Sequence, residues 1–438
     1  MKQKIICCFS LIVVVLLTTF LCLPPKDADI LKNTKELKKQ NVLAIMIETG
    51  VATDTYQEST SSSWPTRGYK FNRKLSRCTN GGELSWDKEK KIVSLSGSSD
   101  DKCYVYFDVG VEFADYCDTG IDLATCVKNF GDQGSAISNI YIHNSSLAKG
   151  AGDNSYRYAG ASDKVNNFVC FGSTETPCPT DNLYRIIGVF DNKIGENQTE
   201  QRVKLIKYDY ANSNLLGTNG DYAGSNTPDA SYYKGGLSKV DTYYWNYKNN
   251  TSINSGYGSN IWSTSLLNKI NLNTNYLNNI GTTWSNLIED ATWKVSGHTT
   301  YYVTPRVMYT AEITNATKTY GPSDGTSKIG LMYASDYGFA ASPSAWTKTL
   351  SNYEYNDVNG TSIKTINWMY MGYYEWTISP DPASPSESDA VFSLFREGDL
   401  SGRLAYFNLG IRPVLYLKSS VLYAGGSGTK DSPITLVV

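Results

Sequence analysis

The chain has 438 residues, with 40 Lys and Arg against 42 Asp and Glu and a net charge of −2. This balance, with no basic block after the N-terminal segment, excludes a nucleic-acid partner, and the length calls for two or three domains. With 33 tyrosines but only two histidines (His143 and His298), and with Asn, Ser, Thr and Gly between short apolar runs, the composition is that of a β-rich, loop-rich exported protein.

Ile5 to Leu23 is an uncharged apolar run, long enough as a helix to match the hydrocarbon thickness. It exceeds the usual signal-peptide core and ends in Cys22-Leu23-Pro24-Pro25, a poor cleavage context. Residues 1–25 are therefore read as a signal-anchor transmembrane helix, with cleavage and secretion as the alternative. Lys26, Lys32, Lys35, Lys38 and Lys39 follow closely and, by the positive-inside rule, would keep the body in the cytoplasm. The cysteines argue the other way. Cys78, Cys103, Cys117, Cys126, Cys170 and Cys178 are an even set without CxxC spacing, a disulfide pattern of exported proteins. The body is placed outside the cell membrane.

Residues 26–41 form a charged juxtamembrane stalk, with Ile30, Leu31 and Leu37 on one side of a short helix candidate. Residues 42–110 read as a small β module that opens on a buried strand, Val42 to Ile47. A hairpin follows, with strands near Glu83–Trp86 and Lys91–Ser96 around a charged turn. Cys103, Val105, Phe107 and Val109 then alternate with Tyr104, Tyr106 and Asp108, the period of a half-buried strand. Cys78 and Cys103 bracket the hairpin and are paired; Cys117–Cys126 and Cys170–Cys178 are paired locally, one choice among several connectivities. Residues 111–134, weakly patterned, are read as a linker.

Residues 135–438 form the second domain. Strands are expected on either side of a turn closed by Cys170 and Cys178, and again over 202–210. Ser263 or Thr264 caps a helix with Leu266, Leu267, Ile270, Tyr276 and Leu277 on one face, and a shorter helix spans 283–288. Beyond it the expectation is strand and long loop, closing on a hairpin that runs into "GIRPVLYL". The fold class is thus α+β and β-rich, with a small disulfide-stapled β module before the larger domain.

The strings "VCFG", "CPTDNLYRIIGVF", "KIGLMYASDYGFA", "YYEWTISP" and "GIRPVLYLKSSV" together resemble a family of exported proteins of gut Firmicutes whose C-terminal domain has no known function. The stretch from "SWPTRGYKF" to "DKCYVYFD" resembles the module that precedes it there. In its order of strand, two helices, Trp-bearing long loops and closing hairpin, the larger domain is similar to C-type-lectin-like folds, a mixed antiparallel sheet with two helices and long loops. That resemblance spans glycan binders, protein binders, adhesins and enzymes, so it selects no single function. Two of its activities lack their residues: no cysteine follows Cys178, and no Glu-Pro-Asn or Gln-Pro-Asp triplet is present.

For ligand binding, the sequence points to Trp368, Tyr373, Tyr374 and Trp376, since sugar rings stack on exposed aromatic faces. The adjoining loop offers Asp381, Glu387 and Asp389 to sugar hydroxyls or a hard cation. Against this stands the common fate of large aromatics, which is burial in the core. No catalytic constellation is selected: Glu375 is the most interesting carboxylate, with Glu354 and Asp389 as possible partners, but no motif pairs them. No cofactor or metal motif emerges. Arg412, inside an apolar strand and before Pro413, is read as a structural anchor for a loop. The expected function is a membrane-anchored, extracellular, non-catalytic protein that binds a glycan or surface-protein ligand. The alternatives are a carbohydrate-active hydrolase and a purely structural surface subunit.

Overall fold

The computed structural model describes residues 34–438 except 66, 89, 194–197, 249–256, 315–324 and 382–388. The expected anchor (1–25) and the first half of the expected stalk (26–33) lie outside the described residues. Among the described residues, no helix is long and apolar enough to cross a membrane. The structure is β-rich with few helices, and its contacts divide it into residues 1–111 and 112–438.

The first unit holds two sheets. In one, β1 (Thr34–Glu36), β7 (Ile92–Ser96) and β6 (Glu83–Asp87) lie side by side, with β6 and β7 forming the expected hairpin in the register Glu83 to Ser96. In the other the order is β3 (Tyr56–Glu58), β2 (Val42–Glu48), β8 (Cys103–Val109) and β4 (Tyr69–Phe71), with β5 (Arg77–Cys78) also on β8. The period-2 pattern of β8 sends Cys103, Val105 and Phe107 inward and leaves Tyr104 exposed. These side chains meet Leu37, Ile45, Leu84, Val93 and Leu95 in one small core. The end of the expected stalk is thus part of this unit: β1 pairs with β7, and Leu37 is buried.

The second unit begins at Glu112, and the stretch expected to be a linker is part of its core. Asp122 caps α1 (Leu123–Gly131) by accepting a hydrogen bond from Thr125 N. Leu123, Cys126, Val127 and Phe130 of α1, with Phe113 and Tyr116 before it, are buried in the large core. The linker reading failed because α1 is short and its apolar face is visible only once the sheet behind it is known.

The main sheet of this unit is antiparallel, in the order β18 (Ile329–Gly330), β22 (Val414–Tyr416), β13 (Thr199–Lys207), β12 (Leu183–Lys193), β10 (Tyr156–Tyr158), β9 (Ile140–Ile142), with β11 (Phe168–Cys170) also on β12. A second sheet contains β19 (Glu375–Pro380), β20 (Ala390–Leu394) and β21 (Leu400–Leu404). Two regions expected as strand or loop are helices instead: α2 (Pro305–Thr314) and α3 (Ala334–Ala340). Pro305 stands at the first helical position, where its missing N–H costs nothing, and Asp336 accepts from the Tyr333 amide to close a capping box at α3.

The expected helix after Thr264 is largely a π-helix, Leu267–Tyr276, continued by short α-helical pieces at Leu277–Asn279 and Gly281–Ser285. Its first amides are held by Ser265 Oγ and by Asp221, rather than by Ser263 or Thr264. The cysteine pairs are Cys78–Cys103, Cys117–Cys126 and Cys170–Cys178, the pairing expected from their spacing.

Candidate functional site

The two tryptophans expected to carry a ligand do not face solvent. Trp368 is buried; its indole N–H donates to Tyr158 O (2.8 Å), and the Arg185 guanidinium sits 4.7 Å from its ring centroid. Trp376 is buried as well and donates to Tyr243 O (2.9 Å). The face a sugar would need is occupied in the first and enclosed in the second. Trp245, Trp262, Trp284, Trp293 and Trp346 are also buried, because this long-loop domain fills its interior with large aromatics.

Asp381 and Asp389 are buried too. The Asp381 backbone N–H donates to Ala390 O, and its carboxylate reaches so close to Gly402 that a Cβ there would collide with it. Glu387 lies outside the described residues. Among the described residues, no three His, Cys, Asp or Glu side chains come together as metal ligands.

The candidate acid Glu375 is engaged by Arg412. Arg412 Nε donates to Glu375 Oε1 at 2.7 Å, while Nη2 donates to Oε2 and to Met369 O, both at 2.8 Å. Both side chains are buried at the junction of β19 and the start of β22. Burial pushes the Glu375 carboxyl up, and the bidentate guanidinium opposes that shift. A carboxylate clamped in this way has no oxygen facing a substrate. His143 is likewise interior: it accepts a hydrogen bond at Nδ1 from Ala151 N, and burial among Phe339 and Trp346 brings its pKa down to about 3.

Tyr373 and Tyr374 are the members of the expected set that remain partly exposed. They line a cavity of about 390 Å³ with Asn226, Asp229, Arg396, Arg403, Phe407 and Asn408. Its wall is the β20–β21 hairpin. The turn closes through Phe395 N to Asp399 O (2.9 Å), and two tyrosines fix it from below: Tyr370 donates to Arg396 O and Tyr337 to Gly398 O, each at 2.7 Å. Gly372 supports the opposite wall. It has φ 75°, and a Cβ there would lie 2.1 Å from Tyr232 O, so only glycine lets these two chains approach.

Two guanidinium groups border the cavity in different states. Arg396 is held by Asp229 (3.2 Å) and Glu397 (2.8 Å) and lies over the Tyr232 ring. Arg403 stacks on Phe395 (4.3 Å) and Phe407 (5.0 Å), with no ion pair among the described residues. Tyr374 meets Phe395 edge to face at 5.4 Å, which extends the aromatic surface beneath Arg403. Such a hollow presents ring faces, guanidinium groups and amide groups together.

Sequence reading named Tyr373 and Tyr374 but missed Arg396, Arg403 and Phe407. The closing hairpin that contains "FREGDLSGR" is expected from sequence, but nothing local shows that its two arginines converge on tyrosines just before β19. A larger hollow of about 920 Å³ in the first unit lies between Lys35–Lys39 and Ser59–Trp64, and no site is assigned to it. No family model, curated protein or solved structure matches the chain.

Proposed function

We propose that this chain is an exported, membrane-anchored surface protein whose larger domain, a lectin-like domain of the family it resembles, binds a glycan non-catalytically. The observation that carries the reading is the 390 Å³ cavity, in which Tyr373, Tyr374 and Phe407 stand beside Arg396, Arg403, Asn226 and Asn408. Aromatic faces suit the C–H faces of sugar rings, and amide and guanidinium donors suit hydroxyl or acidic substituents. Its volume falls in the usual range of small-molecule pockets, about 300–1,000 Å³. Three disulfides support an oxidising compartment. The hydrolase alternative loses its leading carboxylate, since Glu375 is bound to Arg412.

The test is a glycan and mucin array probed with the purified chain and with Tyr374→Ala and Arg403→Ala. Retention on a subset of glycans, reduced at least tenfold in either variant, is the expected outcome. Retention equal in the wild type and both variants, or none at all, overturns the reading.

A further inference from the structure

We propose that Lys204 and Asp336 become joined by an intramolecular isopeptide bond, with Glu312 as the group that relays the protons. This inference is independent of the glycan reading and concerns the interior between β13, α2 and α3.

Lys204 Nζ lies 2.5 Å from Asp336 Oδ2, and neither side chain is more than 2% exposed. Four aromatic rings surround the amine, with centroids at 4.5 Å (Tyr333), 5.4 Å (Phe190 and Tyr416) and 5.8 Å (Trp293). Two opposite charges in such a wall pay a desolvation penalty that their attraction repays poorly. A neutral amine is the reactive form, and the aromatic wall around Nζ disfavours the ammonium. Burial pulls the Lys204 ammonium down in the same sense.

Glu312 completes the arrangement. It is fully buried on α2; Oε1 accepts from Ser379 Oγ (2.5 Å) and from the amide of Ser335 (3.3 Å), the neighbour of Asp336. Oε2 has no hydrogen-bond partner among the described residues. Burial raises this carboxyl to about 7, where it can both take up and release a proton at neutral pH. Arg157 Nη1 stands 3.5 Å from Asp336 Oδ1 and makes no hydrogen bond of its own among the described residues. It therefore faces the oxygen on which charge develops when Asp336 Cγ is attacked.

The step balances without any co-reactant. Proton transfer within the Lys204–Asp336 pair gives an amine and a carboxylic acid. The nitrogen lone pair forms a C–N bond to Cγ, and the Cγ–Oδ2 bond breaks. Glu312 takes one proton from the nitrogen and returns one to the departing hydroxyl, so one water leaves and Glu312 is unchanged. The product is an amide tying the centre of the main sheet to α3 across 132 residues of sequence, with both charges removed from the interior.

Peptide mapping of the reduced, purified chain by tandem mass spectrometry tests this. The expected result is a branched peptide that joins the Lys204 and Asp336 segments, one water lighter than their sum, and absent in Lys204→Arg and Glu312→Gln. Recovery of the two wild-type segments as separate, unmodified peptides overturns the proposal and leaves an ordinary ion pair. A dehydrated Asp336 peptide without the branch overturns it as well. A branch formed as completely in Glu312→Gln as in the wild type overturns the role of Glu312. Wild-type mapping decides the bond itself even if a variant fails to fold.

Discussion

At Arg412, expected inside a strand but placed two residues before β22, the guanidinium is explained by Glu375, 37 residues earlier. Arg412 lies just before β22 and residues 411–417 are all buried, so the charge goes to Glu375 and the Met369 carbonyl. Removing it leaves a buried carboxylate without its cation, and Arg412→Ala is expected to cost about 3–5 kcal/mol of stability. Urea unfolding checks this: the midpoint falls in the single variant and recovers in part in Arg412→Leu/Glu375→Leu, where no charge is stranded. An unchanged midpoint in Arg412→Ala contradicts the assignment. Glu312 gives a pH signature. Its folded pKa of about 7 stands above the ordinary 4.5, with Asp336, Ser335 and Ser379 facing it. Its contribution is therefore fully present below pH 4.5 and is lost as pH rises through about 7, by about 3 kcal/mol in all. Glu312→Gln is expected to flatten that part of the stability–pH curve between pH 5 and 8; equal slopes in the two proteins contradict it.

The π-helix shows what an asparagine-rich element does. Asn271 donates to Leu216 O and Asn219 O and accepts from Asp221 N, while Asn273 exchanges hydrogen bonds with both backbone groups of Ile329. Asn275 and Asn279 hold the same Ser213–Leu216 segment. These side chains supply backbone partners to irregular segments and to the edge strand β18, with Asn271 buried, Asn273 and Asn275 half-buried and Asn279 exposed. Asn271→Ala takes the side-chain partner from Asn219 O and Asp221 N and leaves Leu216 O to Asn275 alone, and is expected to cost about 2–3 kcal/mol. Asn271→Asp keeps the acceptor and loses the donors, so it should destabilise as well. Thermal melts of the two variants check this, and a melting temperature equal to wild type in both refutes it. The hairpins and β8 were legible in the sequence because a period of two and a turn are local. The helices α2 and α3 were not, because their residues alternate briefly and only Pro305 and the Asp336 cap mark their starts.

For the whole molecule, the boundary of the larger unit decides what can be made as a fragment. Starting the chain at residue 135 removes α1 with its buried Leu123, Val127 and Phe130, together with Phe113 and Tyr116. At about 1.5–3 kcal/mol per buried large side chain, that loss is comparable to the entire stability of a domain, about 5–15 kcal/mol. A 112–438 fragment is therefore expected to melt cooperatively and a 135–438 fragment to be soluble only as a collapsed or aggregated species. Circular dichroism and size exclusion check both, and a well-folded 135–438 fragment refutes the packing argument.

The sequence by itself determined the β-rich character and the hairpins, because both depend on spacings of a few residues, whereas it left the disulfide pairing as one choice among several that the structure selects. It also named two residues of the cavity, Tyr373 and Tyr374, through their local clustering. Tertiary structure alone decided which aromatics are interior, which arginines border the cavity, and which charges meet. Trp368 is closed off by Tyr158 and Arg185, Glu375 is taken by Arg412, and Lys204 meets Asp336 from another part of the chain. Burial and charge pairing are properties of neighbours in space, and here those neighbours are tens to hundreds of residues apart in sequence.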